Sequence, residues 1–393
     1  MLPDDISPEE FLGTYWQKKP LLLKNAFPEF QDPLSPEELA GLACEEEIEA
    51  RLVFNENDTW RLKSGPFTEQ DFTTLPEHDW TLLAQAVDHW FPAVKQLLNS
   101  ISFIPGWRLD DVMVSYATKN AGVGPHFDYY DVFIIQGLGQ RHWQLGQRCD
   151  DTSHLRQDTE LKILENFIAQ EEFTLQAGDV LYIPPGLAHH GTALNESLSY
   201  SIGFRAPSCA ELLSQFAARL CAELTEDQRY SDPDLSGIKV QPNLSEISHA
   251  SLSKAKSLIQ TYLQNTENFE HKIEQCFAQT MTQRKYPELT YLPDTEFNPE
   301  TLQAALQQGL LLEKHPAARF AFYEKDHTLF LSVDGAGFDL PVNKNDIHRM
   351  VLELCDARTV CIDSQAIQNS PDCLNLVCKL YNQGSLIEAN PEN

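Results

Sequence analysis

Pro125-His126-Phe127-Asp128 is followed further along by Gly178-Asp179-Val180-Leu181-Tyr182-Ile183-Pro184-Pro185-Gly186-Leu187-Ala188-His189. The second stretch reads as a turn, a short apolar strand and a second tight turn that delivers a histidine. In an extended segment, residues i and i+2 share a face, so His126 and Asp128 project together while Phe127 turns into packing. Antiparallel pairing of the two stretches places the distal imidazole beside His126 in the mouth of a barrel, a usual place for a ligand site. Two imidazoles and one carboxylate make a 2-His-1-carboxylate facial triad. Such a triad covers one face of an octahedral Fe(II) and leaves the other open for a co-substrate and O₂. His190 competes with His189 for the third place. Neighbours on an extended segment face opposite ways, so only one of the two ligates. A lone His-x-Asp is a weak signal, because both residue types often cap turns. The turn–strand–turn before the distal histidine is what makes the pair specific.

The same pattern of short strands surrounds these ligands. Val112–Tyr116, Asp131–Gln136, Arg141–Leu145, Phe173–Leu175, Val180–Ile183 and Ser197–Arg205 read as strands with turns between them, which predicts a sandwich or barrel. Glu160–Gln170 reads as an inserted helix. Upstream, Ser7-Pro8-Glu9-Glu10 and Ser35-Pro36-Glu37-Glu38 are helix starts, each a capping serine followed by proline and two acids. Lys19–Leu23 reads as a buried strand. Beyond Ala206-Pro207, Ser208 can cap a helix with Leu212, Leu213, Phe216 and Leu220 on one face. A second helical tract runs from about Ser245 to Gln283, with Leu252, Ile259, Leu263, Phe269, Ile273 and Phe277 as its apolar positions. Lys285-Tyr286-Pro287 and Leu292-Pro293-Asp294 mark a linker. The tail has helices at Pro299–Gln307, Asp346–Leu354 and Asp372–Leu380 and a strand pair at Ala318–Phe322 and Thr328–Ser332, a winged-helix-like set. A DNA-binding module of that kind is basic. This one is not, so it is expected to be structural or to contact protein.

Composition narrows the function classes. The 393 residues suffice for two or three domains, and no apolar run reaches the ~18 residues of a membrane span. Met1-Leu2-Pro3-Asp4-Asp5 lacks the basic and apolar regions of a signal peptide, so a cytoplasmic location is expected. The nine cysteines are scattered without a Cys-x-x-Cys pair, which predicts reduced thiols rather than a zinc site. Twenty-nine basic against 58 acidic side chains give a net charge of −29. Long-range repulsion argues against direct nucleic-acid binding and favours a basic protein partner.

The chain resembles the cupin-type JmjC 2-oxoglutarate oxygenases. More narrowly it is similar to the bacterial ribosomal oxygenases, which hydroxylate an arginine β-carbon in protein sixteen of the large ribosomal subunit. The stretches that carry this are Phe11-Leu12 with Tyr15–Leu21, Gly124–Asp128, Tyr130–Gly137 and Ser201–Pro207, and the likeness spans essentially the whole chain. The resemblance implies an α+β fold: a double-stranded β-helix (the cupin/JmjC jelly roll) over 1–207, a helical dimerisation domain over 208–285 and a winged-helix-like domain over 286–393. It places Fe(II) on His126, Asp128 and His189, and O₂ and 2-oxoglutarate as co-substrates. Arg141 then grips the distal carboxylate through charge-assisted hydrogen bonds. Ser199 stands near the co-substrate where some relatives carry asparagine. The helical tract implies a homodimer, and the substrate a basic ribosomal protein.

For an arginine substrate, Asp110, Asp111, Tyr116, Tyr129, Tyr130 and Asp131 are the acids and aromatics nearest the metal motif. Tyr130 and Asp131 are preferred; the others read as strand-end caps or core aromatics. Competing readings keep the chemistry but change the target, to another protein residue or a methylated lysine, or take the chain as a ribosome-binding module without catalysis. A small-molecule cupin enzyme fits poorly with two appended domains.

Overall fold

The computed structural model describes residues 1–3, 6–231, 245, 247–265, 267, 269–289, 291–341, 344–356, 362, 364–368 and 370–389. In chain order the first half comprises α1 (Pro8–Thr14), β1 (Leu21–Leu23), α2 (Pro36–Leu42), β2 (Ala50–Glu56), β3 (Thr59–Ser64), α3 (Glu69–Thr73), β4 (Trp80–Ala84), α4 (Pro92–Lys95), β5 (Leu109–Ala117), β6 (Val132–Gln136), β7 (Gln140–Arg148), β8 (Glu171–Gln176), β9 (Val180–Ile183), β10 (Leu187–Ala193) and β11 (Ser197–Phe204). Both early helices start as the sequence predicts: Ser7 Oγ accepts from Glu10 N, and Ser35 forms a capping box with Glu38. The strands form two antiparallel sheets, one in the order β1-β9-β6-β11-β5-β4-β2-β3 and a smaller one in the order β10-β7-β8. This is a double-stranded β-helix, as expected.

Strand alternation divides the molecule into two compartments. Leu198, Tyr200, Ile202 and Phe204 of β11, Phe133 and Ile135 of β6, and Val180 and Tyr182 of β9 enter a core shared with Phe11, Leu34 and Leu39. The alternate residues face the barrel interior. Ser199 lies opposite Ser115 of β5 on one side and Gln136 of β6 on the other, and all three are buried. One side of the large sheet is therefore an apolar core, and the other carries buried polar side chains among a second apolar cluster.

Residues 160–170 are not a helix. Leu155 and Leu164 form an isolated bridge, and Arg156 N donates to Ile163 O, Glu165 N to His154 O and Gln170 N to Leu145 O. Tertiary contacts override the local helical tendency. Ile163 is buried over Gly124, where a Cβ would lie 2.8 Å from it and where φ is +82°. Leu164 N donates to Pro125 O, so this extended strap leans on the segment that carries His126.

The second half contains α5 (Cys209–Ala222), α6 (His249–Asn265), α7 (Phe269–Met281), α8 (Pro299–Gln307), β12 (Leu312–Lys314), β13 (Phe320–Lys325), β14 (Thr328–Val333), β15 (Ala336–Pro341), α9 (Asn345–Cys355), α10 (Ser364–Gln368), α11 (Pro371–Asn382) and β16 (Leu386–Glu388). Ser208 caps α5 by accepting from Glu211 N, but Leu213 is 62% exposed and so lies off the buried face. The tract expected at 245–283 is two helices; residues 246, 266 and 268 lie outside the described set. The tail pairs β13-β14-β15 against α8, α9 and α11 around a second core. It gains a third hairpin strand and a small β12-β16 pair that the sequence reading did not foresee.

The expected linker is pinned rather than free. Lys285 Nζ is 2.9 Å from both Asp110 Oδ2 and Asp111 Oδ1, and Tyr286 donates to Glu49 at 2.9 Å. Arg319 of the tail reaches Asp110 at 2.8 Å, while Arg205 donates to the carbonyls of Thr280, Met281 and Gln283 at the end of α7. Asp110 and Asp111 are thus consumed in joining barrel, helices and tail, and do not serve a substrate pocket. Asp110→Ala leaves the half-buried Arg319 and Arg205 without their carboxylate, while Lys285 keeps Asp111. It should cost about 3 kcal/mol, seen as an earlier urea-unfolding midpoint. Lys344→Ala, which breaks an exposed pair with Asp372, should cost less than about 1 kcal/mol.

Candidate metal centre

His126 sits just outside the named strands but pairs directly with His189 of β10. His126 N donates to His189 O at 3.0 Å, and His189 N donates back to His126 O at 2.8 Å. This reciprocal pair sets the two rings 4.2 Å apart between centroids. Asp128 follows on the same face; its backbone carbonyl accepts from Gly186 N at 2.7 Å, at the tight turn before β10. Its Oδ2 lies 3.6 Å from His189 Nε2 and 4.0 Å from His126 Nε2. One ligand atom from each of the three residues falls within 4.8 Å of the others.

The tautomers follow from the second partner of each ring. His126 Nδ1 is 2.9 Å from Gly124 O, and His189 Nδ1 is 2.9 Å from Leu187 O. A carbonyl only accepts, so each Nδ1 carries the proton and each Nε2 lone pair faces the other ligands. His189 is 2% exposed, and burial, reinforced by the neighbouring His126, lowers its pKa to about 4. It is therefore a neutral donor at physiological pH. Two imidazoles and a carboxylate on one side of a point fit a divalent metal such as Fe(II). His190 points away, edge-on to Phe167 with ring centroids 6.1 Å apart, and lies outside this cluster.

Arg141 lies deeper in the same barrel. It is buried on β7, with Nη1 donating to Ser199 Oγ at 3.0 Å and to Ser115 Oγ at 3.3 Å. None of its described partners is an acid, and its Nε has no partner among the described residues. Burial pulls its pKa down to about 10. A cation this deep without a counter-ion is costly, and a ligand carboxylate would relieve that cost. Ser199 lies beside Arg141 inside the barrel. Ser115 was missed, although a serine among the apolar residues of Val112–Tyr116 was a faint signal. Its role depends on the β5–β11 register, which the sequence does not display.

The substrate-side expectations separate. Asp131 is completely buried on the core side of β6, where it accepts from Tyr182 Oη at 2.6 Å, from Gln17 Nε2 at 2.9 Å and from Arg108 at 3.4 Å. It fastens α1 to the barrel and is closed to a substrate. Tyr130 is on the opposite parity and half-exposed; burial and the nearby Asp128 carboxylate push its pKa well up. Tyr116 packs on Trp80, and Tyr129 lies edge-on to Phe127.

Comparison with known proteins agrees with this geometry. Residues 96–212 match the JmjC domain family, and residues 258–387 match the ROXA-like winged helix. The ribosomal protein uL16 3-hydroxylase of Escherichia coli is 37% identical over 77% of this chain and 79% of its own length. A probable ribosomal oxygenase of Haemophilus influenzae is 34% identical over 82% of this chain and 80% of its own. The structure of YcfD, a ribosomal oxygenase from Escherichia coli, in complex with cobalt and 2-oxoglutarate superposes with a TM-score of 0.76. That match is 32% identical and covers 98% of this chain and 99% of the other. Among the described residues, no helix is long and apolar enough to cross a membrane.

Proton linkage gives a direct check on the buried ligand. The His189 pKa is about 4 when folded, against an ordinary value of 6.5, so between those values the unfolded chain binds the extra proton. Stability is therefore lost as pH falls from about 6.5 toward 4, by an amount on the order of 3 kcal/mol for this residue. In metal-free protein, His189→Gln should shrink the fall in melting temperature between about pH 7 and pH 5. An unchanged fall would mean that His189 is not held neutral.

Proposed function

This chain belongs to the bacterial ribosomal oxygenases of the JmjC family, and from that premise we propose that it hydroxylates an arginine β-carbon in ribosomal protein uL16, using Fe(II), O₂ and 2-oxoglutarate. His126, Asp128 and His189 would hold the metal. Arg141, oriented by Ser199 and Ser115, would take the distal carboxylate of 2-oxoglutarate. When bound, the iron couples oxidative decarboxylation of 2-oxoglutarate to succinate with insertion of one oxygen atom into a C–H bond. The protein supplies the rest: imidazoles fixed by carbonyls, a carboxylate two residues on from His126, and an interior lined by apolar side chains of β6, β7 and β9. Tyr130, at the mouth beside Asp128, is the residue best placed to meet the substrate. The observation that carries this reading is the buried Arg141 guanidinium, free of any described acid, in the same barrel as the three ligands.

The strongly negative chain suits a basic ribosomal partner and disfavours direct DNA binding. We also assign the division into 1–207, 208–285 and 286–393, a cytoplasmic location, and a homodimer made through the helices. Leu252, Ile259 and Leu263 of α6 and Ile273 and Phe277 of α7 are exposed, more apolar surface than an isolated helix pair needs.

Mass spectrometry of uL16 from cells with and without this gene should show one added oxygen only when the gene is present. Release of formaldehyde from a methylated peptide would instead mark a demethylase. His126→Ala should abolish turnover with the melting temperature nearly unchanged. Arg141→Ala should weaken 2-oxoglutarate at least tenfold and metal little, as expected for loss of a charge-assisted bond of about 1.5–3 kcal/mol. Ile259→Asp should convert a dimer to a monomer in sedimentation analysis.

A further inference from the structure

The Trp143 indole is 6% exposed, and its Nε1–H has no hydrogen-bond partner among the described residues. Buried donors in native proteins are nearly always satisfied, and one left orphaned destabilises the fold. The barrel indicates where the missing acceptor belongs. Trp143 and Arg141 are two residues apart on β7 and share its inward face. Across the sheet, Arg141 stands opposite Ala193, Trp143 opposite Gly191 and Leu145 opposite His189. The indole thus occupies the level between the buried guanidinium and the metal ligands, with its ring centroid 6.0 Å from that of His189. The facing strand makes room for it: a Cβ on Gly191 would lie 2.8 Å from the indole ring.

We propose that Trp143 is a binding residue for 2-oxoglutarate, its indole N–H donating a hydrogen bond to a carboxylate oxygen of the co-substrate. This rests on the oxygenase reading above and adds a neutral donor to the charged one at Arg141. The two donors sit on alternate residues of a single strand, so the β7 backbone sets their spacing.

The test is calorimetric titration of 2-oxoglutarate into the full-length protein loaded with Mn(II), which reads affinity without turnover. Trp143→Phe keeps an aromatic ring and removes the donor. It should weaken 2-oxoglutarate about tenfold or more, with Mn(II) affinity and melting temperature unchanged. Equal affinity in the two proteins overturns the proposal and leaves the oxygenase reading standing. No binding by the wild-type protein overturns both. Should the variant fail to fold, the wild-type protein still decides. The chain has six tryptophans, and one of their indole N–H resonances should move downfield when 2-oxoglutarate is added. If all the indole resonances stay in place, the proposal fails.

Discussion

The two backbone hydrogen bonds that join His126 to His189 hold the centre together. Each residue's amide donates to the other's carbonyl, so two positions far apart in the chain become direct antiparallel neighbours. Directly opposed residues of an antiparallel pair project from the same face. Asp128 then joins by alternation alone, two residues on from His126. Removing the pair would separate the imidazoles, whatever else remained folded. The strap at 160–170 leans on this arrangement. It bonds to Pro125 and seats Ile163 on Gly124, a position whose left-handed backbone and lack of a side chain admit that contact.

Around this pair the barrel keeps an unusual interior. Most inward positions of β6, β9 and β10 are apolar, as a jelly roll requires. Against them stand Ser115, Ser199, Gln136 and Arg141, all buried, and an indole N–H without a described acceptor. Apolar side chains of similar size would make a more stable core. Buried polar groups that the fold itself does not satisfy are common at functional sites, where a ligand completes them. The stability given up inside the barrel is offset elsewhere, chiefly by the large aromatic core on the other side of the main sheet, where Phe11, Phe133, Tyr182 and Phe204 interlock.

The appended helices and tail are tied to this barrel by ions. Asp110 collects Lys285, Arg319 and Arg205, and Arg205 also caps the end of α7. A network spanning three parts of the chain fixes their mutual orientation more sharply than apolar contact does, because charge pairs tolerate little displacement once buried. The loop after α7 therefore acts as a brace. Its prolines made it legible as a connection, but nothing local revealed that Lys285 is an anchor.

Much of this protein was legible in its residues. Turn chemistry and short apolar runs marked the strands, capping serines marked the helix starts, and the spacing of His126 and Asp128 put two ligands on one face. Resemblance to a family then singled out His189, Arg141 and Ser199. These features are local, set by backbone preference and alternation, and local physics is written in consecutive residues. What only the tertiary structure decided is long-range. It turned residues 160–170 from an expected helix into a strap, because buried contacts outweigh propensity. It sent Asp131 to the core and Tyr130 to the mouth, because one step along a strand reverses the face. It set Ser115 beside Arg141 and Trp143 over Gly191, because register between distant strands is fixed by the closed sheet as a whole and not by any one segment.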